Sequence, residues 1–152
     1  MTIDTKLIKE LREKTSAGIA DCREALEESK GDLKKAEEYL KKKGFEKAAK
    51  KGDRETNSGL VESYVHGGRI GVLVELLCET DFVARTDEYK TLAHEIALQV
   101  SSMNPKNNKE LLEQEYIRDA SKKISDLITE TIAKLGENIT LGRFSRVELG
   151  KE

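Results

Sequence analysis

Apolar residues recur at intervals of three and four through the first fifty positions. In DTKLIKELREKT, Leu7, Ile8 and Leu11 form a stripe that Ile3 extends, and Asp4 or Thr5 supplies a helix cap. In SAGIADCREALEESKG, Ile19, Cys22 and Leu26 fall on one face, and Gly31 stops the helix. Asp32 caps a third segment, where Leu33, Ala36 and Leu40 repeat the spacing and Gly44 is the predicted end. Each segment is too short to persist alone, so the stripes predict a compact three-helix module over residues 1–51. FEKAAKKGDRETNS then reads as a helical turn that passes into a basic, solvated linker.

From Gly59 the period changes to two. GLVESYV and IGVLVELLC read as strands joined by a tight turn at Gly67-Gly68. Ile70, Val72, Val74, Leu76 and Cys78 share one face, with Leu73 and Leu77 on the other, so partial cover is expected on both. CETDFVARTDEY follows, with a short capped turn at Thr80-Asp81 and a second cap at Thr86. The helix from Thr86 carries Tyr89, Leu92, Ala93, Ile96 and Val100 as its stripe, and Pro105 lies beyond its end. KELLEQEY reads as another turn or two of helix. The next helix is expected to hold Ile117, Ala120, Ile124, Leu127, Ile128, Ile132 and Leu135, with Gly136 as its stop. In the final strand, NITLGRFSRVEL, Ile139 and Leu141 agree in phase with Val147 and Leu149 while Phe144 does not, which predicts a bulge at Gly142. The class is α+β: the helical module (1–51), then a domain (52–152) with an antiparallel sheet of about three strands packed with helices.

Charge narrows the function. With 27 basic and 29 acidic side chains, the chain is a poor general binder of phosphate backbones, so no direct nucleic-acid ligand is expected. Cys22 and Cys78 sit inside apolar patterns and read as buried, reduced thiols. No run reaches membrane-span length and the N-terminus has no secretory core, so the expected compartment is the cytoplasm. Catalysis finds little support. His66 lies on a glycine turn, His94 lies in a helix, and no Cys or His stands at ligand spacing. There is no phosphate loop before a helix and no nucleophile elbow, and no cofactor is expected. That leaves protein interaction. SAGI, between the first two helices, could present Ile19 to a partner, but its spacing favours the module's own core. For Phe82 the pattern leaves two readings open: inward packing, or an exposed anchor on a rigid helix start.

Three motifs carry a resemblance. LIKELREKTSAGIADCREALEESKGDLKKAEEYL resembles the N-terminal module of the elongation factor Ts family, which shares the ubiquitin-associated fold. GVLVELLCETDFVARTDEY resembles that family's second hallmark, and AKLGENITLGRFSRVELG its later helix-to-strand segment. The resemblance implies a guanine-nucleotide exchange factor for elongation factor Tu, a GTPase, acting by binding and with no acid–base side chain. It implies that Arg12, Ile19, Ala20 and Arg23 dock on the GTPase's nucleotide-binding domain. It also implies that Thr80, Asp81, Phe82 and Val83 form the turn that intrudes near the partner's Mg²⁺, with the aromatic wedging into an apolar pocket. Longer members continue into further regions that touch the GTPase. Against those the chain is short, and monomer and homodimer are both open. The rival class is a ubiquitin-associated-type adaptor without exchange activity, which would need neither the second motif nor the third. A small enzyme built on His66 and nearby carboxylates is a weaker rival.

Overall fold

The structure is a computed structural model, and it describes residues 2–152. Three helices come first: α1 (Thr5–Thr15), α2 (Ile19–Glu28) and α3 (Leu33–Ala49). The Asp4 carboxylate caps α1 by accepting the Lys6 N–H at 2.9 Å, and Asp32 caps α3 through the Lys35 N–H at 3.1 Å. Ile8, Leu11, Cys22, Ala25, Leu26 and Ala36 close into one buried cluster, so the stripes of the three helices meet, with Ile19 of the second left outside.

Helix α3 does not stop at Gly44 as predicted; it runs on to Ala49. A Cβ at Gly44 would lie 3.1 Å from the Ala133 methyl carbon, so the bare glycine lets α3 close against α7 (Ile124–Leu135). This packing outweighs the cost of about 1 kcal/mol that glycine carries inside a helix. Ala48 is buried in the second cluster, so α3 takes part in both.

The second cluster lies beneath a three-stranded antiparallel sheet ordered β1 (Ser58–His66), β2 (Ile70–Cys78), β5 (Ile139–Glu148). The inner face of β2, with Val72, Val74, Leu76 and Cys78, packs on α5 (Asp87–Met103) through Tyr89, Leu92, Ala93, Ile96 and Val100. The bulge in β5 is present: Leu76 pairs with Leu141 and Val74 with Phe144, so β5 holds one more residue than β2 across that step. A Cβ at Gly142 would collide with the Glu75 carboxylate, which instead accepts the Arg143 N–H at 3.1 Å. The extra residue turns Phe144 inward with Ile139 and Leu141, while Val147 and Leu149 turn out. The outer face is barer than expected. Val61, Val65, Leu73, Val147 and Leu149 are all exposed there.

Between Met103 and β5 lie α6 (Asn108–Glu113), a small hairpin of β3 (Glu115–Tyr116) and β4 (Asp119–Lys123), and α7. The helix predicted from Ile117 therefore begins only at Ile124. Local bonds hold residues 117–123 in the hairpin. Gln99 Oε1 accepts the Ile117 N–H at 3.0 Å, and Asp119 accepts both the N–H and the hydroxyl of Ser121. Asp126 then reaches back to the Lys123 N–H at 2.9 Å and sets the helix start.

Candidate partner-binding surface

Thr80 leaves β2 in an extended conformation and caps the single turn α4 (Asp81–Ala84), its Oγ1 accepting the Val83 N–H at 3.4 Å. Asp81 occupies the first position, where a carboxylate suits the helix N-terminus. Val83 packs against the core and Ala84 is buried, whereas Phe82 points the other way and is 82% exposed. Thr86 closes the turn by donating to the Val83 carbonyl at 2.7 Å, and then caps α5 by accepting the Tyr89 N–H at 3.3 Å. Of the two readings the sequence pattern left open, inward packing of Phe82 is therefore ruled out. Burying such a ring is worth about 1.5–3 kcal/mol, and this fold leaves that free energy unspent.

The turn stands on a bonded base. Beneath it, the buried Tyr89 hydroxyl donates to the Leu76 carbonyl at 2.6 Å. The Cys78 thiol donates to the Thr80 carbonyl at 3.1 Å. Burial pushes both groups above their usual pKa values, so each stays a neutral donor at ordinary pH. From the side, Glu137 accepts the Thr80 N–H at 2.9 Å and the Thr80 hydroxyl at 2.7 Å. Glu79 accepts the Asn138 N–H at 2.7 Å. Asn138 is buried, and its amide donates to the Arg54 carbonyl at 2.8 Å. Glu79, Glu137 and Asn138 escaped the sequence reading. The signal was the GEN of AKLGENITLGRF, polar residues directly after a helix-stopping glycine.

The other predicted residues surround the junction of α1 and α2. Ser16 adopts a left-handed conformation there (φ 58°), and Arg12 Nε donates to the Ala17 carbonyl at 3.2 Å, which folds the loop back on α1. Arg12, Ile19, Ala20 and Arg23 are all exposed. Ile19 is 53% exposed, which corrects the expectation that it belongs to the module's own core. The stripe of α2 that packs is Cys22, Ala25 and Leu26, and Ala17 rather than Ile19 lies against that cluster. A charged network fixes how α2 sits on α3. Lys43 Nζ lies 2.6 Å from Glu24 and 3.1 Å from Asp21, and Tyr39 donates to Glu24 at 2.7 Å. Hydrogen bonds to Lys43 hold the Asp21 and Glu24 carboxyls below their usual range, and the two carboxylates push the ammonium up.

The structure thus gathers Thr80 to Val83 on one turn and Arg12, Ile19, Ala20 and Arg23 around one helix junction. The first set stands on the sheet's cluster and the second on the cluster of α1 to α3. His66 and His94 are exposed and flank Tyr64, whose hydroxyl lies 2.8 Å from His66 Nδ1. Among the described residues, no group of three or more His, Cys, Asp or Glu could hold a metal ion. No helix of the described residues is long and apolar enough to cross a membrane.

Comparison with known proteins gives one answer. The profile of the family described as Elongation factor TS matches residues 79–152. Elongation factor Ts of Thermotoga neapolitana is 45% identical over 196 aligned positions, which take in 100% of this chain and 100% of that protein. Elongation factor Ts of Thermoanaerobacter pseudethanolicus is 45% identical, with 98% of this chain and 96% of the relative covered. For Oleidesulfovibrio alaskensis the identity is 44%, with 97% and 98% covered. An alignment of 196 positions against a chain of 152 residues means that relatives carry segments with no counterpart here.

Proposed function

The chain belongs to the elongation factor Ts family, and on that premise we propose that it is a guanine-nucleotide exchange factor that binds elongation factor Tu and promotes GDP release. The observation that carries the reading is Phe82, an exposed aromatic on a turn braced from below and from the side. An anchor already held in place loses little entropy on docking. Asp81 and Phe82 enter beside the partner's Mg²⁺ site, Phe82 fills an apolar pocket, and Thr80 and Val83 hold the turn. A bound Mg²⁺ screens the diphosphate charge, so disturbing it loosens the nucleotide. The exchange factor needs no acid–base residue or cofactor of its own; it works by binding, in the cytoplasm with its partner.

Linkage sets the scale. If the factor weakens GDP binding, GDP weakens binding of the factor by the same ratio. A ten-thousandfold coupling needs about 5.5 kcal/mol of differential contact. One Phe in a pocket supplies about 1.5–3 kcal/mol, so other contacts must share the work. The exposed Arg12, Ile19, Ala20 and Arg23 suit that part, with residues 1–51 as the docking unit and 52–152 as the wedging unit. The rival adaptor is not favoured, because the family profile covers the half of the chain that an adaptor would not need. The test is release of a fluorescent GDP analogue from elongation factor Tu. The reading predicts acceleration that saturates with added chain, and no acceleration at saturation rejects it.

One further observation bears on assembly. The outer sheet face carries exposed apolar residues on all three strands, with Leu73 of the central strand 52% exposed. Such a face supports a homodimer in which two copies pair their sheets about a twofold axis. Sedimentation of the wild-type chain beside Leu73→Glu decides: the reading predicts a dimer that the substitution dissociates, and a wild-type monomer at micromolar concentration rejects it.

A further inference from the structure

A helix of one turn has almost no stability of its own, so something else must fix the direction of α4. Its N-terminal cap is unusual in depending on a distant residue. The Thr80 hydroxyl has a single proton, and that proton goes to Glu137 Oε2 at 2.7 Å. The donation turns an oxygen lone pair toward the Val83 N–H, which is the bond that caps the turn. The other oxygen of the same carboxylate takes the Thr80 N–H at 2.9 Å. Both bonds are charge-assisted and therefore among the stronger kind. Glu137 is itself held by its neighbour. The Asn138 N–H donates back to Glu79, so residues 79–80 and 137–138 exchange bonds in both directions. The Asn138 amide reaches the carbonyls of Gly52 and Arg54, and the Arg54 guanidinium lies 3.6 Å from Glu79. The linker from the helical module therefore ends on the same node as the turn.

We propose that Glu137 is the positioning residue of Phe82: its carboxylate orients the Thr80 cap and so holds the ring in the direction from which it enters the partner. The proposal rests on the exchange-factor reading. Without the carboxylate the turn frays, and the ring must be ordered at the moment of docking. That cost falls on the step in which the wedge enters, while docking through Ile19 and Arg23 is unaffected.

Two measurements test it together. In GDP-release titrations, Glu137→Gln should lower the rate at saturating chain about tenfold, the loss expected for one charge-assisted bond. The concentration giving half-maximal rate should stay within about threefold, because uniform binding is untouched. Thr80→Val should match it, the double variant should be no worse than either single, and Thr80→Ser should restore the rate. By amide hydrogen exchange, residues 80–84 of Glu137→Gln should open about tenfold faster while the β2 amides stay protected. A saturating rate within about twofold of wild type overturns the proposal, as does independent multiplication of the two single effects or uniform loosening of the sheet. If the wild-type chain fails to speed GDP release, the functional reading falls. Amide exchange then decides alone: selective opening of 80–84 sustains the positioning role, and unchanged protection ends it.

Discussion

Two helix starts lie six residues apart in this chain, Thr80-Asp81 and Thr86-Asp87, and they treat the following aromatic in opposite ways. At the second start, Tyr89 is the third helical residue, fully buried, with its hydroxyl on the Leu76 carbonyl. At the first, Phe82 is the second helical residue and stands in solvent. The caps also differ in origin. Thr86 gives its proton to the nearby Val83 carbonyl, whereas Thr80 gives its proton to Glu137. The second start is local and belongs to the core. The first is held from a distance and spends its aromatic outside. The same cap chemistry thus buries an aromatic in one place and exposes one in the other.

Substitutions can break this contrast, and the largest effect belongs to the core. Tyr89→Ala should cost about 3–5 kcal/mol in denaturant unfolding, as expected for a large buried ring. Tyr89→Phe keeps the ring and should cost about 1 kcal/mol, the worth of one buried hydrogen bond. A pH-dependent effect should appear in the helical module. Asp21 and Glu24 titrate below their usual values when folded, so their contribution is present above the unfolded carboxylate pKa values and is lost as pH falls through the folded ones. Acid titration followed at α2 should therefore show loosening below about pH 4, and Lys43→Met should weaken that dependence, leaving the smaller part that Lys47 and Tyr39 supply. The smallest stability effect belongs to the exposed ring: Phe82→Ala should shift unfolding by less than about 0.5 kcal/mol. A larger loss would place Phe82 in the core and erase the contrast.

Much of this arrangement was legible in the sequence, for a physical reason. Both Thr-Asp starts, the buried face of β2, the stripe of α5 and the bulge at Gly142 follow from local periodicity and cap chemistry. What local pattern could not reveal depended on distant partners. Gly44 reads as a helix stop until α7 is seen against it, where its missing side chain permits the contact. Ile19 keeps helical phase with Cys22 and Leu26, yet the packed stripe begins at Cys22. Residues 117–123 have a helical spacing of apolar side chains, but Gln99 and Asp119 satisfy their backbone in a hairpin instead. Glu137 acts across 57 residues of sequence, and only the fold shows which N–H it receives. The outward direction of Phe82 belongs to the same class. Its neighbours Val83 and Ala84 turn inward, and the face opposite them is left to solvent.

Under the proposed function, Phe82 is kept out of the core in order to act on a partner. Release of a fluorescent GDP analogue from elongation factor Tu, measured at saturating wild-type chain and at saturating Phe82→Ala, tests it most directly. The expected rate for Phe82→Ala is about ten- to 150-fold lower, the kinetic equivalent of about 1.5–3 kcal/mol, with stability changed by less than about 0.5 kcal/mol. Equal rates from the two proteins would contradict it.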